Sequence, residues 1–288
     1  PKTPKPRSHD LIIKFNKSMS ARLYEHCMFF IGSSFRRTLH TDFNRFPWQM
    51  WVRLVYNDAL TFNAANGQGG VKASWRFREF ARDPLNKDMQ HFAVFLQNMK
   101  AQEGVPFDKL SMADYAVAAA FTTIQEAGGP VMLDDFVFGR KDAKNAGECG
   151  SVKNVPSESN YVSHLTNLGF SEKEIVALAS VESFGIHRDP KQSRWSSHPK
   201  FETYFYKQLL TSADHMPHKE ALLGTASLKE TVEQFAENKA EYDKSFKAAF
   251  VKLCDLGHSS TSLIDVEHFL HDDPSFKLRF PMEANLGQ

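Results

Sequence analysis

The stretch SEKEIVALASVESFG constrains the fold of this 288-residue chain more than any other part of it. Ser171 and Glu174 form a capping-box pattern, in which two side chains satisfy backbone N–H groups at the start of a helix. Four residues then recur at three- and four-residue spacing and would share one helix face. They are Ile175, Leu178, Ala179 and Glu182. The pattern predicts a helix that ends near Gly185 and is apolar on one face except for its last member.

Glu182 is the unusual residue of that face. A carboxylate that faces the core is costly without a partner. The simplest alternative is that Glu182 sits near the helix end and reaches water. The residues alone do not decide between a buried Glu182 carboxylate with a partner and one that reaches water.

Helical periodicity recurs through most of the chain, which predicts an all-α, mainly helical protein. A segment rich in Gly, Asn, Ser and Pro predicts a loop over residues 144–159 that joins two lobes. The further helices are expected over about 18–39, 48–62, 87–100, 111–127 and 239–256.

Composition excludes several classes of protein. Lys plus Arg number 35 against 34 for Asp plus Glu, so no basic field favours a nucleic acid partner. No apolar run is long enough to predict a membrane span. Cys27, Cys149 and Cys254 form no CxxC pair, which argues against a zinc site or a disulfide framework and predicts buried thiols. The 25 phenylalanines indicate a large aromatic core or an aromatic contact surface.

The segment EIVALASVESFG resembles the proximal helix of class I haem peroxidases, the ascorbate peroxidase group, whose pattern is D-I-V-A-L-S-G-G-H-T-I-G. Glu182 stands where that family has the histidine that binds haem iron. Carboxylate is not among the usual axial ligands of haem. The resemblance therefore implies the family's fold, whereas the residue at the ligand position argues against the family's haem chemistry in this chain.

The segment WVRLVYNDA resembles the family's distal helix, R-L-A-W-H-S-A-G-T. Arg53 falls on the distal arginine and Tyr56 on the distal tryptophan. Asn57 falls on the distal histidine, which exchanges a proton with peroxide in active members. The Asn-Asp-Ala sequence is also similar to the degenerate ascorbate-peroxidase-like protein of the plant thylakoid lumen.

Two later positions complete the resemblance. Trp195, in RWSSHPKFETYFYKQLL, falls on the family's proximal tryptophan. Alignment backward from Ala236 brings Lys219, or its neighbour Glu220, to the aspartate that hydrogen-bonds the proximal histidine. We therefore expect a Glu182–Lys219 ion pair to replace the ligand and its acid.

The resemblance spans about residues 18–258 and implies a haem-peroxidase-like fold of two helical lobes. The distal lobe is expected over about 18–143 and the proximal lobe over about 160–258. A flexible basic arm over 1–17 and a C-terminal extension over 259–288 flank this domain.

The three replaced positions imply lost chemistry. An Asn57 amide cannot take a proton near neutral pH, and Glu182 and Lys219 replace the iron ligand and its acid. We therefore expect no haem or other cofactor, no peroxidase activity, and a role as an accessory subunit of a large organellar complex. The alternative is a haem-retaining sensor or weak peroxidase with a substitute ligand such as His187, His215 or His218.

The two ends of the sequence suggest compartment and partners. The N-terminal PKTPKPR reads as the product of organellar import, which favours the mitochondrion, with the plastid as the alternative. The extension 259–288 carries many large apolar residues, so we expect it to contact other protein subunits, unless it folds back over its own domain. These residues are Leu263, Ile264, Phe269, Leu270, Phe276, Leu278, Phe280 and Met282.

Overall fold

The computed structural model describes residues 49–83, 86, 89–103, 110–184, 200–213, 216–258 and 264–265. The expected arm 1–17, the helix over 18–39 and most of the extension 259–288 lie outside these residues. Within the described part, ten α-helices and one two-stranded antiparallel sheet make up the regular structure, apart from short 3-10 turns. This arrangement confirms the predicted all-α, mainly helical fold.

The helices are numbered here in chain order. Their bounds are α1 Gln49–Ala59, α2 Arg78–Ala81, α3 Gln90–Glu103, α4 Met112–Glu126, α5 Tyr161–Asn167, α6 Glu172–Ala179, α7 Tyr204–Thr211, α8 Lys219–Leu223, α9 Ala226–Glu237 and α10 Lys239–Cys254. The strands are β1 Val137–Phe138 and β2 Ile264–Asp265. None of the described helices is both long and apolar enough to cross a membrane.

Helix α6 begins as its sequence predicts and ends earlier. The Ser171 hydroxyl accepts a hydrogen bond from the Glu174 backbone N–H, and the Glu174 carboxylate accepts one from the Ser171 N–H at 2.7 Å. The α-helix stops at Ala179, and a 3-10 turn over Ser180–Ser183 continues it. Glu182 therefore leaves the α-helical stripe and is partly exposed, with 19% of its side-chain surface open to solvent.

One continuous apolar core runs through the described helices. Helix α4 packs against α1 and is buried on almost every side, which its many alanines permit because small side chains allow close approach. Helices α9 and α10 pack against α6. The division into two lobes stays a prediction.

Aromatic side chains fill the space between α6, α7 and α10, which accounts for part of the phenylalanine content. The rings of Phe201 and Tyr242 stack with centroids 4.9 Å apart, and Phe246 meets Phe201 edge-on at 4.8 Å. Such pairs add roughly 0.5–1.5 kcal/mol each beyond the area that they bury. In this region the phenylalanines therefore form part of the core.

Arg140 ties the end of α10 to β1 and α4. Its guanidinium, only 1% exposed, forms ion pairs with Asp114 at 3.0 Å and Asp255 at 2.6 Å. It also donates to the backbone carbonyls of Val137 and Cys254. A buried arginine requires this degree of pairing, because an unpaired buried charge is costly.

The cysteine expectation is partly wrong. Cys254 is buried, whereas Cys149 is half-buried in the segment between β1 and α5, and both are free thiols. The neighbouring Gly150 passes so close to Thr61 that a Cβ atom there would clash. Cys27 lies outside the described residues.

Candidate functional site

Helix α1 and the 3-10 turn that follows α6 bring two of the expected site residues together. Arg53 Nη2 lies 3.5 Å from Glu182 Oε2, and the two side chains are 11% and 19% exposed. The predicted ion pair between Glu182 and Lys219 is wrong. Lys219 instead donates through Nζ to the backbone carbonyl of Ser212. The difference arises because the early end of α6 turns the Glu182 carboxylate towards α1.

Tyr56 lies one turn further along α1 and joins three elements. Its hydroxyl donates to the Tyr161 hydroxyl at 3.3 Å, and the Tyr161 hydroxyl donates to the Ile175 carbonyl at 3.3 Å. Burial, reinforced by the charge of Glu182, raises the pKa of Tyr56 far above its usual value. Both phenols therefore stay neutral at any physiological pH and act as hydrogen-bonding groups.

Asn57 is almost fully buried and holds a neighbouring loop. Its side-chain Nδ2 donates to Asn86 Oδ1 at 3.0 Å and to Met89 Sδ at 3.7 Å. Asn86 in turn donates to the carbonyl of Phe80 at 3.3 Å. At the position that the resemblance aligns with the family's proton-transferring histidine, the chain therefore has a neutral amide in a structural hydrogen-bond network.

His218 is a site residue to which the sequence reading gave little weight. It is 5% exposed, its ring stacks on Tyr161 with centroids 3.8 Å apart, and neither ring nitrogen has a hydrogen-bond partner. Burial lowers the pKa of His218, against the opposing charges of Glu182 and Glu158. The sequence signal at this position is the MPHK stretch, which is typical of a turn. His218 lies in that turn, directly before α8, and its backbone is left-handed with φ of 62°.

Asp58 adjoins the site on α1 and is completely buried. Its Oδ2 accepts hydrogen bonds from the backbone N–H groups of Lys72 at 3.0 Å and Ser74 at 3.3 Å, while Oδ1 has no partner. Burial raises the pKa of Asp58 to about 7. Asp58 therefore holds the turn that follows α1.

Three further candidates, Trp195, His187 and His215, lie outside the described residues. Among the residues that the structure describes, no group of three or more His, Cys, Asp or Glu side chains could hold a metal ion. The described site therefore consists of an Arg–Glu ion pair, two hydrogen-bonded tyrosines, a buried amide and a buried imidazole.

This helical fold agrees with a comparison to known families. Residues 32–238, more than half of the chain, match the family described as Peroxidase. The chain belongs to the peroxidase family, and its relatives place it in class I, the haem peroxidases that include ascorbate peroxidases.

Curated relatives share about a quarter of their residues with the chain. L-ascorbate peroxidase 5, peroxisomal, from Arabidopsis thaliana is 29% identical over 218 residues, which cover 72% of this chain and 75% of the relative. A protein of Aspergillus fumigatus named putative heme-binding peroxidase is 27% identical over 244 residues, covering 72% and 74%. The mitochondrial cytochrome c peroxidase of the same fungus is 28% identical over 240 residues, covering 73% and 64%.

These comparisons contradict the expectation that the chain has no cofactor. Its family is that of the haem peroxidases, and one relative is named for binding haem, so the findings point towards haem binding. The expectation rested mainly on Glu182 at the ligand position, together with Asn57 and Lys219. It was wrong because replacing one ligand removes one bond to the iron, whereas a pocket holds a large apolar ligand mainly through its buried surface.

Two side chains of the described site can be compared as possible ligands of haem iron. The Glu182 carboxylate is paired with Arg53 and is not of a usual ligand type. His218 is an imidazole, the commonest protein ligand of haem iron in related folds, and its two buried nitrogens lack partners. Of the described residues at this site, His218 fits the group best.

Proposed function

We propose that this chain is a class I peroxidase-family protein that has lost peroxidase turnover and serves as an accessory subunit of a large organellar protein complex. The main support for the loss of peroxidase turnover is Asn57. The resemblance aligns it with the family's general acid–base catalyst, and its amide is bound to Asn86 and Met89.

Loss of that base removes a large part of the rate. General acid–base catalysis contributes roughly 10²- to 10⁴-fold in typical enzymes. Arg53, whose charge would stabilise a developing anion, is paired with Glu182. An arginine already neutralised by a carboxylate offers less stabilisation to an incoming negative charge.

The experiment is a peroxidase assay after reconstitution with hemin. Oxidation of ascorbate, guaiacol and ferrocytochrome c by hydrogen peroxide is measured beside an active ascorbate peroxidase. We expect rates at least about 100-fold lower than those of the active enzyme, as loss of the base requires. Rates within tenfold of the active enzyme for any of these substrates would overturn the proposal.

The second half of the proposal, the subunit role, is supported by the apolar content of the extension. Its last 15 residues, 274–288, contain five large apolar side chains, and a segment that orders along another protein uses such groups as contacts. These residues are Phe276, Leu278, Phe280, Met282 and Leu286. For the complex we propose the mitochondrion, with the plastid as the alternative; the curated relatives include mitochondrial, chloroplastic and peroxisomal proteins.

Removal of residues 274–288 tests the subunit role. The native mass of the assembly that contains the full chain is compared with that of the truncated chain, and each sample is analysed by mass spectrometry. We expect the truncated protein to remain folded by circular dichroism and to migrate as a free chain. A full-length protein that never enters a defined assembly in native organelles would refute the subunit role.

A second candidate function is a haem-retaining sensor or weak peroxidase that uses a substitute ligand. The buried imidazole of His218 favours it, as does the relative named for binding haem. Haem, when bound, would supply a redox-active iron. The absorption spectrum of the hemin-reconstituted chain separates the candidates, because His218→Ala shifts the Soret band only if the imidazole ligates the iron.

A further inference from the structure

An open groove runs along the outer face of α10, away from the site described above. Its volume is about 570 Å³. Most of its lining comes from α10 at three- and four-residue spacing, as expected for one face of a helix. The lining residues are Asp135, Lys244, Lys247, Ala248, Val251, Lys252, Asp255 and Leu256.

The groove combines an apolar floor with lysines along its rim. Lys247 forms an ion pair with Asp135 at 2.5 Å, and Lys252 forms one with Glu174 at 3.2 Å. Lys244 is exposed, and the carboxylate near it, Glu241, is already paired with Lys173 at 2.8 Å. Among the lysines that line the groove, the least neutralised positive charge therefore lies at the Lys244 end.

The chain itself passes the other end of the groove. Asp265 of β2 is paired with Val137 of β1. The carbonyl of Val137 accepts a hydrogen bond from Arg140, which also binds Asp255 at the end of α10. Strand β2 therefore ends on the side of the domain where Arg140 binds Asp255, and 23 residues of the chain follow it.

The first eight of those residues, VEHFLHDD, suit the groove chemically. They include three acids and two large apolar residues but no lysine or arginine. The acids are Glu267, Asp272 and Asp273, and the apolar pair is Phe269 and Leu270. The remaining residues, 274–288, contain Lys277 and Arg279 and match a basic rim less well.

The segment is also long enough. From Lys244 to Asp255 the helix rises about 17 Å, at 1.5 Å for each residue. Eight residues in extended conformation reach about 26 Å. A segment that starts on the Asp255 side of the domain can therefore cover the whole groove and bring its two final acids to Lys244.

We propose that residues 266–273 occupy the α10 groove of their own chain, with Phe269 and Leu270 against the floor and Asp272 and Asp273 beside Lys244. Residues 274–288 then leave the domain at the Lys244 end of α10. The proposal does not depend on the subunit role or on peroxidase turnover.

Disulfide cross-linking in the full chain tests the placement. Cys27→Ser and Cys149→Ser remove the thiols most able to interfere, and Ala248→Cys is combined with Leu270→Cys. The matched control combines Glu233→Cys, exposed on α9, with the same Leu270→Cys. We expect an intramolecular disulfide at least tenfold faster in the groove pair than in the control. Equal rates, or a disulfide only between two chains, would overturn the proposal.

Charge exchange provides a second test. Lys244→Glu should release the segment and speed chymotryptic cleavage at Phe269 and Leu270 about tenfold, and Asp272→Lys with Asp273→Lys should do the same. Combining all three substitutions should restore slow cleavage, because the opposite charges again face one another. Cleavage that is unchanged by Lys244→Glu, or that stays fast in the combined variant, would refute the assignment.

Discussion

Arg53 on α1 and Glu182 in the turn after α6 form an ion pair, with Nη2 and Oε2 separated by 3.5 Å. By the resemblance, the first residue aligns with the family's distal arginine and the second with its iron ligand. Two positions that the resemblance assigns to peroxide chemistry are therefore joined here by a contact between side chains. This contact links helix α1 to the turn that follows α6, so we expect it to contribute to stability.

Replacing one partner of this pair should destabilise the protein more than replacing both. Glu182→Gln leaves the mostly buried Arg53 charge without its carboxylate, and we expect the free energy of unfolding to fall by about 1–2 kcal/mol, less than for a fully buried pair. The double variant Arg53→Met with Glu182→Leu should recover most of this loss, because apolar pairs often replace ion pairs at no cost. Urea denaturation at pH 7 measures both values. A double variant less stable than Glu182→Gln would contradict the interpretation.

Asp58 should make stability depend on pH. Burial raises its pKa from 3.8 to about 7, so the folded state keeps a proton that the unfolded state has lost. The unfolded state therefore binds fewer protons between about pH 4 and pH 7, and stability falls as pH rises through this range. With a shift of about three units, the loss attributable to this carboxyl approaches about 4 kcal/mol as an upper bound.

Asp58→Asn removes this titration while keeping an oxygen that can accept from the Lys72 and Ser74 backbone N–H groups. We expect the variant and the native chain to differ little in urea midpoint at pH 5. At pH 8 the variant should be the more stable of the two. A difference in midpoint that does not change between pH 5 and pH 8 would show that Asp58 does not titrate in this range.

His218 should weaken the folded state in acid. Burial lowers its pKa below 6.5, so the unfolded state takes up a proton first as pH falls, and stability declines below about pH 6.5. His218→Phe keeps the stack on Tyr161 and removes two buried nitrogens without partners. We expect a gain of about 1 kcal/mol at pH 7 and a larger one at pH 5.

Thermal unfolding of both chains at the two pH values checks this prediction. His218→Gln is the matched control, because it keeps a polar side chain in the same place and should show no gain. A His218→Phe variant that is less stable than the native chain would show that the imidazole nitrogens have partners in solution.

Short-range sequence patterns predicted the helical fold well. They did not predict which residues of distant elements contact one another. The capping box at Ser171 and Glu174 is a short-range pattern, and it forms as predicted. The partner of Glu182 depends on where α6 ends, and the change to a 3-10 turn after Ala179 had no clear sequence signature. The burial of His218 likewise depends on Tyr161, 57 positions earlier in the chain. Such pairs are set by tertiary packing, which one sequence does not display.

The last prediction is that Glu182→His alone leaves the hemin-reconstituted chain without peroxidase turnover. The substitution supplies an imidazole at the family's ligand position and frees Arg53 from its ion pair. It leaves Asn57 in place, with its amide bound to Asn86 and Met89 and unable to take a proton. We expect a changed absorption spectrum with oxidation rates for ascorbate and guaiacol within about tenfold of the native chain. Adding Asn57→His should raise those rates roughly 10²-fold or more, as general acid–base catalysis does elsewhere. Full turnover in the single variant would show that the missing base is not what limits this protein.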